Sequence, residues 1–225
     1  MPIHSLIPVP LRDLPWTKRT LYRGAPVFRE GDRTELVFLL ESGLVKLSRE
    51  VDSHRKTIVR LVRAGDLIGD RALSGVSHQR YTAEAIADSL VWELDREQFR
   101  LGCNSSLVVL AWVTEQVERR LAEVERRVEM IAFARVEIRL LALLADLAEA
   151  AVLAGGLSTE NVQIPLTQSE IAQLIGATRE TASTTLNQLE RRGLLQLGRR
   201  QIEVVSLDAV REASRGGERA AAAHA

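Results

Sequence analysis

Cysteine is nearly absent, since Cys103 is the only one in 225 residues. A single thiol excludes an internal disulfide framework, a cysteine-ligated zinc site and a four-cysteine iron–sulfur cluster. Excess charge of either sign is absent as well. Thirty Lys and Arg balance thirty Asp and Glu. That balance argues against a wholesale polyanion binder, so any nucleic-acid contact must be a local patch. Lysine is scarce: Lys18, Lys46 and Lys56 are the only lysines, and arginine carries the remaining positive charge. The first twenty residues hold Pro2, Pro8, Pro10 and Pro15 and no apolar stretch of signal-peptide length. The most apolar region, Ile138 to Leu153, is broken by Arg139, Asp146 and Glu149, whereas a spanning helix needs about 20 nearly uncharged residues. We expect a soluble, cytoplasmic chain with no membrane contact. No nucleophile–base–orienter set, phosphate loop or metal spacing is evident, so the expectation is not an enzyme.

What is present is a globular composition, 46% hydrophobic and 27% charged, with textures that change along the chain. Over residues 20–95, short runs rich in β-branched and large apolar residues alternate with glycine turns. The runs Leu36 to Leu40, Leu44 to Leu47, Thr57 to Val62 and Leu90 to Leu94 read as strands of an antiparallel roll. The period then changes. Leu107, Leu110, Thr114, Val117, Leu121, Val124, Val128 and Ile131 alternate steps of three and four, which is an a/d seam. The seam fits either a long helix lying on its own domain or a parallel dimer coiled coil through residues 107–131, and the dimer is favoured because a strict seam is narrower than a core-facing helix needs. Val108, Val109, Trp112 and Val113 widen the apolar face near its start, where the helix is expected to pack on the roll. A second helix is predicted over Val136–Val152, followed by a loop over Gly155–Thr159. The tail from Arg211 reads as frayed or disordered. The expected organisation is a sensor roll over residues 1–104, a dimerisation helix and hinge over 105–134, a third unit over 135–210 and a disordered tail over 211–225. The fold class is α+β.

The third unit carries the most chemistry. Thr167 reads as an N-cap with Glu170 three residues on, and Leu166 and Ile171 can form a hydrophobic staple. Gly176 ends that short helix. Thr178 caps a second helix running to about Glu190, with Ala182, Leu186 and Leu189 facing inward. Arg179, Glu180, Ser183, Thr184 and Asn187 lie on the opposite face. Leu194 to Leu197 and Gln201 to Val205 flank Gly198, Arg199 and Arg200 as a β-hairpin with a basic tip. Two helices joined by a glycine turn and followed by a basic hairpin describe a winged helix-turn-helix. From the helix start, Arg179 suits guanine and Glu180 suits cytosine. Between Arg179 and Gln201, five Arg face two Glu, and Arg191, Arg192, Arg199 and Arg200 are candidate phosphate contacts.

The stretch LTQSEIAQLIGATRET from Leu166 to Thr181 closely resembles the helix-turn-helix of the Crp/Fnr family of bacterial transcription regulators. Upstream, Glu30-Gly31-Asp32, Glu41-Ser42-Gly43 and the run from Gly65 to Gly69 resemble the family's β-roll landmarks. The seam is similar to its dimerisation helix, and Ile131 to Ala134 resembles its hinge. The resemblance covers about residues 20–208. It implies a homodimeric, sequence-specific DNA-binding regulator with a cyclic-nucleotide-binding-like roll. It further implies that Arg179 and Glu180 read a TGTGA-like half-site, with Ser183 and Thr184 beside them. Thr184 stands where family members place a base-reading Arg. Thr167, Gln168, Thr178, Arg199 and Arg200 would meet the DNA backbone, and RNA polymerase is an implied partner. The competing class is an effector-binding module whose winged helix serves protein contact.

For the roll, the resemblance implies a cassette of Gly-Glu followed later by Arg and an adjacent Ser or Thr. This chain has Gly69-Asp70-Arg71, then Arg80-Tyr81-Thr82, and Val124-Glu125 in place of an adenine-contacting Thr-Ser pair. These departures argue against cyclic AMP. The nitrogen-control branch, which senses 2-oxoglutarate, is similar at Arg80-Tyr81, Arg120 and Glu125. A small anion could be held by Arg71, Arg80 and Arg120. The other reading is a regulator with no ligand, its arginines in ion pairs with Glu84, Glu118 or Glu125. A haem site is not expected, because His4, His54, His78, His224 and Cys103 share no helical face.

Overall fold

The computed structural model describes residues 5–52, 55–69, 73, 75, 77–155 and 158–222. The chain divides into two compact units, Met1–Glu123 and Val124–Ala225. The first opens with a single helical turn, α1 (Val9–Arg12), and continues, among the described residues, into eight strands: β1 (Thr17–Leu21), β2 (Pro26–Phe28), β3 (Leu36–Ser42), β4 (Val45–Asp52), β5 (Arg55–Val62), β6 (Leu67–Ile68), β7 (Thr82–Ala85) and β8 (Ser89–Asp95). They form two four-stranded sheets, in the orders β1-β8-β3-β6 and β2-β7-β4-β5, and the named pairings are antiparallel. The expected roll is therefore present. Its predicted runs coincide with β3, β4, β5 and β8, while β1, β2, β6 and β7 add the strands too short or too polar to stand out.

Two apolar clusters fill the roll. Phe38, Leu40, Val45, Val62, Ala83 and Val91 belong to one. Val37, Leu39, Leu67, Leu94 and Phe99 belong to the other, which also takes in Cys103, whose thiol pKa is pushed up by burial. Alternate residues of β3 thus serve different clusters, as the two-residue period of a strand requires. Gly43 (φ +93°) turns β3 into β4 where any Cβ would lie 2.6 Å from the Asp88 carbonyl oxygen. A side chain there is excluded by backbone and not only by torsion.

Helix α2 (Arg96–Ser105) is capped by the Asp95 carboxylate, which accepts from the Glu97 and Gln98 amides. Helix α3 (Leu107–Phe133) follows as one continuous helix. Val109 and Val113 are buried in the roll cluster and Trp112 packs against it, while Val108 is 62% exposed. The expected contact with the roll is thus made by a narrower face, which omits Val108. On another face Leu107, Leu110, Val117, Leu121, Val124, Val128 and Ile131 are all exposed, by 46% or more. The division between the units falls within this helix, so its last turns are grouped with the C-terminal unit.

The C-terminal unit contains α4 (Val136–Gly155), β9 (Glu160–Ile164), α5 (Gln168–Ile175), α6 (Arg179–Arg191), β10 (Leu195–Gly198), β11 (Gln201–Ser206) and α7 (Leu207–Ala222). Its core is built on α4, where Leu140, Leu141, Leu144 and Ala148 are fully buried. The hairpin β10–β11 gains a third strand, β9, in the order β10-β11-β9. The expected disordered tail from Arg211 is corrected. Residues 211–222 continue α7, Leu207, Val210 and Ser214 are buried, and Arg211 pairs with Glu149 at 2.6 Å. Their spacing of three and four puts one amphipathic face against α4. The alanine-rich end masks this pattern, and a compositional reading misses it. No described helix is long and apolar enough to cross a membrane.

Candidate nucleic-acid interface

The helix pair α5–α6 forms as its sequence dictates. The Thr167 amide donates to Glu170 Oε2 at 2.9 Å and the Glu170 amide donates to Thr167 Oγ1 at 3.2 Å. Both limbs of the capping box are therefore made. Leu166 and Ile171, the staple residues, are fully buried. Gly176 adopts the left-handed conformation (φ 63°) that ends α5. A Cβ there would lie 3.3 Å from Ile131 Cδ1, so the turn is close-packed as well as left-handed. Thr178 caps α6, its hydroxyl accepting from the Thr181 amide at 3.2 Å. Ala182, Leu186 and Leu189 are buried and anchor α6, as expected, together with Thr185, whose hydroxyl donates to the Thr181 carbonyl at 2.9 Å.

The outward face of α6 presents Arg179, Glu180, Thr184 and Asn187 as exposed side chains, with Ser183 half-buried. Arg179 and Glu180 stand in the first turn, where a recognition helix reaches base edges. Opposite, β10 and β11 pair through Gly198 and Gln201, leaving Arg199 and Arg200 as an exposed two-residue tip, with Arg200 at φ 62°. A cleft of about 220 Å³ lies between these parts, lined among others by Thr167, Gln168, Ser169, Arg179, Arg200 and Gln201. Residues far apart in sequence thus meet: the start of α5, the start of α6 and the wing. The first amides of a helix have no intrahelical partners and carry partial positive charge. With the two arginines they make a cationic edge suited to a phosphate. Ser169 and Gln201 line the cleft but were not expected there. Ser169 is the second residue after the Thr167 cap, which is the available signal.

One of the expected phosphate contacts is otherwise engaged. Arg192 is paired with Glu137 at 2.5 Å, so it braces α6 against α4. Arg191 remains exposed on the last turn of α6. Glu190, counted against the basic patch, accepts from the Leu197 amide at 2.8 Å and ties α6 to the wing.

In the roll the expected anion-binding residues are differently placed. Asp70 and Arg71 lie outside the described residues, as do His4, His54 and His224. Arg120 donates to the Leu67 carbonyl at 3.0 Å. Gln116 is buried beside it on α3, donates to the Gly65 carbonyl at 3.1 Å and holds the same segment. Arg80 is exposed, and Tyr81 packs against an apolar cluster. Gly69 (φ +85°) abuts the Leu36 carbonyl. The Thr82 hydroxyl accepts from the Glu30 amide at 3.2 Å. Glu84 pairs with Lys46 at 2.9 Å. Glu125 is exposed on α3. His78 meets Ser77 Oγ, at 2.9 Å. Among the described residues no group of three His, Cys, Asp or Glu could hold a metal ion.

The capped helix pair, its polar outward face and the wing define a DNA-binding protein of the winged helix-turn-helix class, with an antiparallel roll as its other unit. Comparison with known proteins agrees with both halves. Residues 18–106 match the cyclic nucleotide-binding domain and residues 138–213 match the Crp-like helix-turn-helix domain. The transcriptional regulator SdrP of Thermus thermophilus is 30% identical over 192 residues, spanning 85% of this chain and 88% of that protein. The cyclic AMP receptor protein of the same species is 29% identical over 195 residues, covering 85% of each. A crystal structure of a CRP/FNR-family transcriptional regulator, also from Thermus thermophilus, superposes with a TM-score of 0.71 at 26% identity, over 88% of this chain and 98% of the other. The chain belongs to the Crp/Fnr family of transcription regulators, a non-enzymatic family.

Proposed function

We propose that this regulator acts as a homodimer joined along the α3 seam, each subunit placing α6 in a major groove of a palindromic site. Half-sites would lie about 34–36 Å apart on one face of the duplex. Arg179 donates bidentately to guanine and Glu180 accepts from cytosine, with Ser183 and Thr184 facing the neighbouring bases. Thr167, Gln168, Thr178, Arg199 and Arg200 grip the backbone, which positions the helix without reading sequence. The dimer works in the cytoplasm and acts on transcription through contact with RNA polymerase. The observation that carries this reading is the exposed Arg179–Glu180 pair in the first turn of α6, beside the cleft it shares with the wing.

The test is to enrich a duplex from a randomised library with the wild-type protein and compare variants on it. Arg179→Ala should lower affinity for the enriched duplex by about 1–3 kcal/mol and barely change binding to random DNA. Arg199→Ala should weaken both alike. Equal loss on both duplexes for Arg179→Ala would contradict base reading. Failure to enrich any sequence would overturn the function.

A further inference from the structure

Arg139 is the one cation of the apolar helix α4, and Arg127 lies near the end of α3. Both point at the same place. Arg139 Nη1 donates to the Ile175 carbonyl at 2.8 Å and to the Gly176 carbonyl at 3.3 Å. Arg127 Nη2 donates to the Gln173 carbonyl at 3.0 Å. These carbonyls belong to the last turn of α5 and to the glycine that ends it. A helix C-terminus leaves its last carbonyls without intrahelical partners and carries partial negative charge. The turn's own backbone serves the Ala172 carbonyl, which accepts from the Ala177 amide at 3.0 Å. Two guanidinium groups, delivered by α3 and α4, serve those of Gln173, Ile175 and Gly176. Ile131 closes the same turn from outside, against Gly176.

From this geometry we infer that Arg127 and Arg139 are positioning residues for DNA reading, holding the α5–α6 turn so that Arg179 is presented at the angle a major groove requires. The inference rests on the base-reading role assigned to Arg179. Only Ala177 and Thr178 separate Gly176 from Arg179, so a change of direction at the turn swings the first residue of α6 directly. Neither arginine belongs to the exposed face of α6 or the wing. Burial pushes the Arg127 pKa down, and the Gln173 carbonyl it meets offsets the cost of keeping the charge there. Both Arg139 bonds come from one nitrogen, so a lysine ammonium can replace them in part, whereas methionine keeps the stem and removes the donor.

The experiment uses the full-length protein and the palindromic duplex enriched by the wild type. Arg139→Met should weaken binding to that duplex by about tenfold or more, leave binding to random duplex within about twofold, and leave the salt slope unchanged, because no phosphate contact is lost. Arg139→Lys should restore most of the specific affinity. The loss in Arg139→Met combined with Arg179→Ala should fall well short of the sum of the single losses, as expected for residues acting through one another. Circular dichroism at the assay temperature checks folding. If Arg139→Met does not fold, Arg127→Met, with Arg127→Lys as its rescue, carries the same comparisons. A salt slope reduced by about one would mean a direct phosphate contact and would overturn the inference. So would additive losses, or equal loss on both duplexes in a folded variant. A wild type that enriches no duplex overturns instead the base-reading function beneath it.

Discussion

Thr167 illustrates how a single side chain is tied to both stability and site geometry. Its hydroxyl accepts from the Glu170 amide and its amide donates to the Glu170 carboxylate, while its position on the rim of the cleft brings it beside Arg179 and Arg200. Removing the hydroxyl leaves one helix amide uncapped, at a cost of about 1 kcal/mol. Thr167→Ala should therefore lower the melting temperature by about 2–4 °C, read by calorimetry against the wild type. Gly176 belongs to the same class, but for two reasons at once. Its φ of 63° disfavours any side chain, and Ile131 stands 3.3 Å from where a Cβ would be. Both positions were legible in the sequence, because capping and helix termination depend on residues within one turn. Arg139 was legible only as an interruption in an apolar stretch. What it binds, the carbonyls of Ile175 and Gly176, lies more than thirty residues away in the chain.

At the scale of elements, α3 has two faces with different duties. Val109, Val113 and Gln116 are buried against the roll, and the a/d positions stand open. Exposed apolar residues repeating every three and four positions over a long helix are the condition for knobs-into-holes pairing with a second copy. Leu121→Glu should convert the dimer to a folded monomer, because Leu121 is 56% exposed and contributes to no core. Sedimentation velocity would read the change, and a variant that remains dimeric would place the interface elsewhere. Binding to the enriched palindrome should fall when dimerisation is lost, since two linked half-site contacts raise affinity without new contacts. The α7 helix teaches the opposite lesson about legibility. Its alanine-rich sequence resembles a frayed end, yet Leu207, Val210 and Ser214 pack inward and Arg211 reaches Glu149. Packing against α4 decides its conformation, which is the usual source of helical stability in proteins.

For the whole molecule, a net charge of zero means that attraction to DNA must come from local cations and not from an overall field. The C-terminal unit supplies Arg199 and Arg200 at the wing tip, while Arg192 is already engaged with Glu137. Four wing-tip arginines in a dimer, each releasing counterions with a slope near −0.9, give a dependence of log affinity on log salt of about −3.6. Filter binding across a salt series should give a slope at least that steep on random DNA. A slope near zero would favour the competing view of the winged helix as a protein-contact module.

The local sequence by itself determined the helix caps, the glycine turn, the heptad seam, the basic hairpin and the alternating strands of the roll, because each depends on neighbours within a few residues or on a fixed period. Tertiary structure alone decided which charges are spent internally. Arg120 faces the Leu67 carbonyl, Glu84 faces Lys46, and Arg127 and Arg139 face the end of α5. It also decided that Thr167, Arg179 and Arg200 share a cleft and that β9 completes the wing sheet. The reason is one of range: an arginine's long stem can reach many partners, and its choice follows from whichever distant backbone the fold brings within hydrogen-bonding distance.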